Sequence, residues 1–161
     1  MLKHLHPNSK LVFLGIINKI WTNDLFPDQW KRAILIPVPK ANKDPEDVRN
    51  YRPIAMTSVL CKLTERVVNK RLWWLLENKR LICNVQCGFR QNRSCLDHLI
   101  RLEDYILKGF SNKQHTVAVF FDLENAYDTT WRHQILQKLS SWKIQGHLAL
   151  FINNLLSDRR F

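Results

Sequence analysis

Thr116-Val-Ala-Val-Phe-Phe-Asp-Leu-Glu-Asn-Ala-Tyr-Asp-Thr-Thr-Trp131 is the stretch that decides the fold of this chain. Its first six residues are apolar or β-prone, which is typical of a strand buried on both faces. One carboxylate, Asp122, follows this run directly, and an aromatic ring, Tyr127, comes five positions later. A carboxylate at the mouth of a buried strand is costly unless a cation meets it there. The stretch therefore predicts a strand that carries Asp122 to a metal ion or a pair of metal ions.

Three other segments form an ordered series with this stretch: Trp30-Lys-Arg-Ala-Ile-Leu-Ile-Pro-Val-Pro-Lys40, Asn50-Tyr-Arg-Pro-Ile-Ala-Met-Thr-Ser58 and Gln86-Cys-Gly-Phe-Arg90. Together with Phe121-Asp-Leu-Glu-Asn-Ala-Tyr-Asp128, they resemble, in the same order, motifs of the reverse transcriptases of non-LTR retrotransposons. Two further strings, Asp128-Thr-Thr-Trp-Arg132 and Ser157-Asp-Arg-Arg-Phe161, are typical of the jockey-like group of arthropod elements. The resemblance covers nearly the whole chain.

The resemblance implies a fold and its division into segments. We expect an α/β fold, helix-rich with short strands, that corresponds to the fingers and the first part of the palm of a right-hand polymerase. The expected segments are an N-terminal helical extension (1–29), the fingers and fingers-palm helices (30–115), and the start of the palm (116–161). In this family the polymerase continues into a Gly-x-Pro-Gln-Gly-Ser box and an aromatic-x-Asp-Asp box, and neither string occurs here. We therefore expect a truncated polymerase that is inactive by itself.

Local patterns in the first half of the chain predict the elements that carry these motifs. Apolar residues at helical spacing predict a helix from Ser9 to about Asn23, and the β-prone run 33–38 predicts one arm of a hairpin with a mobile tip. Thr57 or Ser58 is expected to cap a third element, a long helix. Its predicted buried stripe consists of Leu60, Leu63, Val67, Val68, Leu72 and Leu75.

Capping and breaking residues predict the helices of the second half. Ser94-Cys-Leu-Asp97 is a capping box that predicts a helix to about Gly109. Asp128 is expected to cap a helix that starts near Thr130. Gly146 interrupts the pattern and is expected to precede the last helix.

The charge of the chain points to a polyanionic partner. Twenty-five Lys and Arg residues against fourteen Asp and Glu residues give a formal net charge of +11. Such a surplus favours nucleic acid and makes binding strongly salt-dependent. An anionic membrane surface also attracts basic proteins, but no apolar run approaches the length of a membrane span and no signal peptide is recognisable. A basic protein that binds nothing specifically stays an open alternative.

The four cysteines, at positions 61, 83, 87 and 95, indicate reduced thiols better than a zinc site. Cys83, Cys87 and Cys95, with His98, resemble a zinc motif superficially, but their spacing matches no common finger or knuckle. Reduced, partly buried thiols are typical of an intracellular protein.

The resemblance assigns roles to residues of the decisive stretch. Asp122 corresponds to the catalytic metal ligand, one of three carboxylates that hold two Mg²⁺ ions in the intact enzyme. Leu123 contributes a backbone carbonyl to a metal ion, and the amides that follow, including those of Asn125 and Ala126, face the triphosphate. Asn125 departs from the lysine that is common there, which removes one positive charge. Tyr127 corresponds to the aromatic gate that lies under the deoxyribose and excludes a 2′-hydroxyl.

Basic residues elsewhere receive further roles. Lys40 and Arg52 correspond to the fingers residues that hold the incoming triphosphate. Lys62, Arg66 and Lys70, four positions apart on one helix face, are expected to follow a phosphate backbone.

The box that ends at Arg90 has no role assigned by the sequence. Its arginine is expected to contact template phosphate, and Gly88 to permit a tight turn.

Each of these residues also has an ordinary alternative. Asp122 alone could cap a turn or pair with an arginine, and Tyr127 could be a core residue. Lys40 could be a solvated loop charge, and the basic stripe could be a solvated helix face.

The functional expectation is an RNA-directed DNA polymerase of a retrotransposon. Its partners are an RNA template, a DNA primer and deoxynucleoside triphosphates, with no membrane, and the sequence predicts no oligomeric state. The expected location is intracellular, with the nucleus favoured over the cytoplasm. The alternative is a noncatalytic basic nucleic-acid-binding module, or an inactive relic of the element.

Overall fold

The computed structural model describes residues 4–161. The first three residues of the predicted N-terminal extension lie outside this range. A turn of 3-10 helix, Val48–Asn50, precedes the second strand. The other elements are α1 (Pro7–Thr22), α2 (Asp28–Lys31), β1 (Ile34–Pro39), β2 (Tyr51–Met56), α3 (Val59–Asn78), α4 (Cys95–Ser111), α5 (Arg132–Ser141) and α6 (His147–Leu156). This helix-rich composition with a short sheet agrees with the predicted α/β class.

The chain divides into two compact units. Unit 1 consists of Met1–Trp74 and Trp131–Phe161, and unit 2 consists of Leu75–Thr130. The boundary between them falls within α3. The division into fingers and palm segments stays a prediction, because the two units are defined by packing and not by polymerase anatomy.

Capping residues fix the predicted helices α1 and α4. Pro7 occupies the first turn of α1, and the His6 side chain accepts a hydrogen bond from the Asn8 amide. At the start of α4 the Ser94 amide donates to Asp97 Oδ2 at 2.7 Å, which lowers the pKa of this carboxyl. Both helices are confirmed, and α6 begins directly after Gly146, as predicted.

The predicted hairpin is also confirmed. Strands β1 and β2 are antiparallel, with Ile36 opposite Ile54 and Pro37 opposite Pro53. The tip closes where the Lys40 amide donates to the Asn50 carbonyl at 2.7 Å. All residues of β1 are exposed, so the two-stranded sheet packs little against the rest of unit 1.

The core of unit 1 is a cluster of aromatic and aliphatic side chains. The Phe26 ring meets Trp30 edge-on at 5.8 Å and Phe151 at 5.5 Å between ring centroids, a favoured geometry for aromatic pairs. Ile20, Cys61 and Val68 complete the buried cluster. The core therefore joins α1, α2, α3 and α6.

The buried face of α3 differs from the predicted stripe. Leu60 and Val67 are exposed, whereas Cys61 and Thr64 are almost fully buried. The Thr64 hydroxyl donates to the Leu60 carbonyl at 3.0 Å, so its burial leaves no polar atom unpaired. The prediction was wrong at Leu60 and Val67 because it was based on the hydropathy of the side chains and not on their size. Small Cys and Thr side chains allow closer packing than the larger apolar residues beside them.

One arginine joins the segments of unit 1 that lie furthest apart in the chain. Arg159 donates from Nε to the Leu155 carbonyl at 2.8 Å, from Nη1 to the Trp30 carbonyl at 2.9 Å, and from Nη2 to Glu65 Oε1 at 3.2 Å. Its guanidinium also lies 5.8 Å from the centroid of the Phe26 ring. All three groups of donors are therefore satisfied within the protein.

A buried thiol extends this network. Cys61 Sγ donates to Glu65 Oε1 at 3.1 Å. Burial and then the neighbouring Glu65 raise the pKa of the Cys61 thiol to about 12. Cys61 therefore stays neutral and acts as a small buried donor, not as a nucleophile.

The decisive stretch forms no strand in the described residues. Residues 114–123 carry no regular secondary structure, and Phe121 is 92% exposed. The prediction of a strand buried on both faces was therefore wrong for this chain. A strand requires a neighbour, and the sheet of the described part contains β1 and β2 alone.

The predicted cap of α5 was also wrong. Trp131 precedes the first residue of α5, and Asp128 lies in a turn, where its amide donates to the Asn125 carbonyl at 3.0 Å. Thr129 and Thr130 instead direct their hydroxyls to the carbonyls of Asn125 and Ala126. These hydroxyl bonds stabilise the turn itself, and α5 begins without a side-chain cap.

Loss of the Arg159 guanidinium should destabilise unit 1. In Arg159→Met, two carbonyls and Glu65 lose their donor, so we expect the free energy of unfolding to fall by about 2–3 kcal/mol. Urea unfolding followed by circular dichroism measures this change. Arg160→Met is the matched control, because it removes the same charge from an exposed neighbour. Equal destabilisation by the two variants would contradict a structural role of Arg159.

Candidate nucleic-acid and metal site

Asp122 lies near the end of an exposed segment of unit 2 that has no regular secondary structure. The residue after it, Leu123, is also exposed, and a compact turn follows at 124–128. Asn125 has φ of 51°, in the left-handed region that asparagine tolerates better than most residues. Its carbonyl accepts from the amides of Asp128 and Thr129, both at 3.0 Å. The turn after Asp122 is therefore held by bonds within itself.

Tyr127 projects from this turn and is 87% exposed. Its alternative interpretation as a core residue does not fit this structure, because the ring is not buried. Exposure leaves the ring available to a ligand. The assigned role as a sugar gate stays a prediction.

The described residues do not form the metal site expected at Asp122. Across residues 4–161, no three His, Cys, Asp or Glu side chains come together in a way that could hold a metal ion. Reverse transcriptases generally use a divalent metal, which oxygen ligands such as Asp bind well. The role of Asp122 as a ligand of such a metal therefore stays a prediction.

The cysteine motif gives no metal site either. Cys83 and Cys95 are exposed, Cys61 and Cys87 are buried, and all four are free thiols. His98 forms no metal-binding group with any of them in the described part of the chain.

Lys40 and Arg52 lie at the same end of the hairpin in unit 1. Arg52 pairs with Val38 in the register of the strands, and Lys40 directly follows β1. The Lys40 ammonium donates to the Arg49 carbonyl at 2.9 Å, which holds it against the base of the hairpin tip. Lys40 is therefore more ordered than a solvated loop charge, while Arg52 stays exposed.

Arg90 binds protein groups in this structure. Its guanidinium forms a two-pronged ion pair with Glu77, with Nε 2.8 Å from Oε1 and Nη2 2.7 Å from Oε2. Nη1 donates to the carbonyl of Cys83 at 3.0 Å and to that of Gln86 at 3.3 Å. The arginine lowers the pKa of the Glu77 carboxyl through these bonds, and only 7% of its side chain is exposed. The phosphate contact expected for Arg90 stays a prediction that this geometry does not favour.

A second arginine, which sequence analysis did not single out, completes the same loop. Arg101 on α4 donates from Nη1 to the Val85 carbonyl at 3.1 Å and from Nη2 to the Asn84 carbonyl at 3.3 Å. Arg90 and Arg101 thus bind the four consecutive carbonyls of residues 83–86. We call this arrangement the arginine clamp. No sequence spacing indicates it, because its partners lie 4 to 17 positions away.

The basic stripe on α3 is exposed. Lys62, Arg66 and Lys70 are all exposed, and the described residues form no salt bridge with them. Their spacing of four places them along one face of the helix, about 6 Å apart in rise at each step. This arrangement suits a phosphate backbone, although a solvated face stays open.

The charge surplus of the chain belongs to unit 1 alone. Unit 1 contains eighteen Lys and Arg residues against seven Asp and Glu residues, a surplus of eleven. Unit 2 contains seven of each, so its surplus is zero. Attraction for a polyanion is therefore a property of unit 1, whereas Asp122 and Tyr127 lie in the neutral unit.

No helix within residues 4–161 is both long enough and apolar enough to span a membrane.

Comparisons with known proteins agree with the motif series. Residues 38–161 match the family described as reverse transcriptase (RNA-dependent DNA polymerase). This range includes Lys40, Arg52, Asp122 and Tyr127.

Curated relatives come from transposable elements. The chain is 33% identical over 156 residues to the probable RNA-directed DNA polymerase from transposon BS of Drosophila melanogaster, an alignment that covers 96% of the chain. It is 32% identical over 158 residues to the RNA-directed DNA polymerase from mobile element jockey of the same fly, with 98% of the chain covered. A more distant relative, 27% identical over 132 residues, is the Pol polyprotein from the type-1 retrotransposable element R2 of Popillia japonica; it covers 82% of the chain and 18% of the relative.

The alignments to the transposon BS and jockey polymerases cover 17% of each relative, so the chain spans about one sixth of their length. The resemblance to polymerases of jockey-like non-LTR elements is nevertheless confirmed over nearly all of this chain, as the motifs predicted. On the match of residues 38–161, the chain belongs to the reverse transcriptase family.

Proposed function

We propose that this chain is part of an RNA-directed DNA polymerase of a jockey-like retrotransposon. The single observation that supports this most is the family match across 38–161, which includes three of the four ordered motifs and the last three residues of the first. In the intact protein, an RNA template, a DNA primer and deoxynucleoside triphosphates are the substrates. The chain contributes fingers and the first part of the palm, and the nucleus is the place where we expect the enzyme to act.

Each site residue has a role in this proposal. Asp122 supplies one of the carboxylates that bind two Mg²⁺ ions, which stabilise the charge that develops at the reacting phosphate. Lys40 and Arg52 hold the triphosphate, and the turn around Asn125 presents amides to it. The Tyr127 ring lies under the sugar of the incoming nucleotide and excludes a 2′-hydroxyl.

The order of the turn supports the roles of Asn125 and Tyr127. Because bonds within the turn fix its shape before any ligand binds, its amides and the Tyr127 ring need little further ordering. Asn125 supplies no charge, so in this proposal the side chains that bring positive charge to the triphosphate are Lys40 and Arg52.

A second candidate function is nucleic-acid binding without catalysis. The observation that favours it is the surplus of eleven positive charges in unit 1, together with the exposed stripe on α3. Such a surface binds phosphate backbones irrespective of sequence. This function requires no metal ion.

The 161-residue chain should show no measurable polymerase activity. One carboxylate cannot hold two metal ions in the required geometry, and the described residues bring no three possible ligands together. A primer-extension assay with Mg²⁺ checks this. Robust extension by the purified chain would show that the site is complete without further ligands.

Binding to single-stranded nucleic acid should depend on the α3 stripe. In Lys62→Gln/Arg66→Gln/Lys70→Gln, we expect the slope of log affinity against log salt to fall by about 2, since each lost phosphate contact contributes about 0.7 for single strands. Fluorescence anisotropy at several salt concentrations measures the slope. The matched control is Lys79→Gln/Lys108→Gln/Lys113→Gln, which removes the same charge from neutral unit 2. Equal slopes for both triple variants would refute a specific role of the stripe.

Variants of Asp122 and Tyr127 should have different effects on nucleotide incorporation. The test is a chimera that completes the polymerase with the palm and thumb of a related element. Asp122→Asn should lower primer extension more than about a hundredfold with any nucleotide. Mutation of a residue that only orients a metal ligand already lowers activity about 10- to 100-fold. Asp128→Asn, an exposed carboxylate of the same segment, is the control and should retain activity. Tyr127→Val should admit ribonucleotides more readily while deoxynucleotide incorporation persists. An equal loss for both sugars would make the ring a packing residue.

A further inference from the structure

Phe89 has an unfavourable backbone conformation, and burial of its side chain does not compensate for it. Its φ is 60°, in the left-handed region, which costs a non-glycine residue roughly 1–2 kcal/mol. Nine non-glycine residues of the described chain have positive φ, and Phe89 is the one apolar residue among them. The side chain is nevertheless 87% exposed, so burial does not offset the cost. A glycine at this position would fit the backbone better.

The arginine clamp holds the loop that carries this ring. Arg90, the next residue, is fixed by Glu77 on α3 and by two carbonyls of the loop, and Arg101 fixes two more from α4. Cys87, on the other side of Phe89, is buried. A strained residue persists where its surroundings determine its conformation, and such residues concentrate at ligand sites. The clamp thus presents Phe89 to solvent from a rigid base.

The chemistry around the ring distinguishes among partners. The neighbours along the chain are Gly88, Arg90, Gln91, Asn92 and Arg93. A single aromatic ring among polar and basic residues differs from the contiguous apolar patch of a protein interface. It is typical of the platforms on which bases of single-stranded nucleic acid stack.

We propose that Phe89 is a stacking residue for an unpaired base of single-stranded nucleic acid. The inference rests on the proposed function, in which such a strand is the template. Unit 2 has no charge surplus, so its contribution to binding comes from base contact, while phosphate attraction comes from unit 1. The clamp assigns Arg90 a positioning role, since it orients the loop and does not touch the strand.

Anisotropy titrations of the full chain test this with two fluorescent 12-mers, oligo(dA) and a fully abasic DNA of the same length. Phe89→Ala should bind oligo(dA) about fivefold more weakly or worse, by the same factor at low and high salt, because stacking does not release counterions. The abasic strand should bind both proteins equally. Phe89→Trp should restore affinity for oligo(dA).

Two controls make the result interpretable. Phe110→Ala removes a 70% exposed ring from α4 in the same unit and should leave affinity unchanged. Phe89→Gly should lose the same affinity as Phe89→Ala while its melting temperature equals or exceeds that of the parent, because glycine relieves the strained φ.

Failure of the inference and failure of the proposed function give different results. If the parent chain binds oligo(dA) and Phe89→Ala binds it equally well, stacking is refuted and the ring belongs to a protein contact. If the parent chain binds neither strand at any salt concentration, nucleic-acid binding and stacking are both refuted. A Phe89→Ala defect that is equal on the abasic strand would also overturn the inference.

Discussion

Unit 1 depends on the guanidinium of Arg159. This group reaches the carbonyls of Trp30 and Leu155 and the carboxylate of Glu65, and so it joins α2, α3 and α6 across some 130 positions of chain. Helix termini leave carbonyls without partners, and a planar group with five donors can satisfy several of them at once. The consequence extends beyond the core. The amide of the next residue, Arg160, donates to the Lys31 carbonyl, and its carbonyl accepts from the Ala33 amide. Lys31 and Ala33 flank Arg32 and lead into the hairpin. The position of Lys40 and Arg52 therefore follows from the same anchor.

Unit 2 uses the same chemistry on a smaller scale. The arginine clamp converts a loop with little apolar content into a defined shape, because two guanidinium groups replace the water that would otherwise bind four carbonyls. Unit 2 has few buried apolar residues, so ion pairs and hydrogen bonds carry more of its order than in unit 1. The two units thus present different properties to a nucleic acid, namely net positive charge in unit 1 and an exposed ring in unit 2.

Local sequence signals predicted those features that local physics decides. The capping box at Ser94, the proline at the start of α1 and the glycine before α6 all act within a few residues, and the helices they predict are present. The absence of the predicted strand before Asp122 could not be read from local signals. A strand depends on a neighbouring strand and not only on its own β-prone residues. The buried face of α3 and the pairing of Arg90 with Glu77 depend on contacts between distant positions, which periodicity does not report. For the site, the motif order predicted the family, and the spacing of Lys62, Arg66 and Lys70 predicted that they share one face of α3. The sequence could not indicate that the donors of Arg90 turn inward.

The hairpin and the stretch before Asp122 differ in their protection against association. Pro37 and Pro53 face each other in the hairpin, and Pro39 follows, so these strands lack amide donors at several positions where a further strand would bind. Residues 116–123 contain no proline, are rich in β-branched and aromatic side chains, and lie in a unit without net charge to repel a copy. Exposed edges of this kind are templates for intermolecular pairing. Where this chain associates with itself, the contact should therefore form through residues 116–123, and aggregation would then cover Asp122.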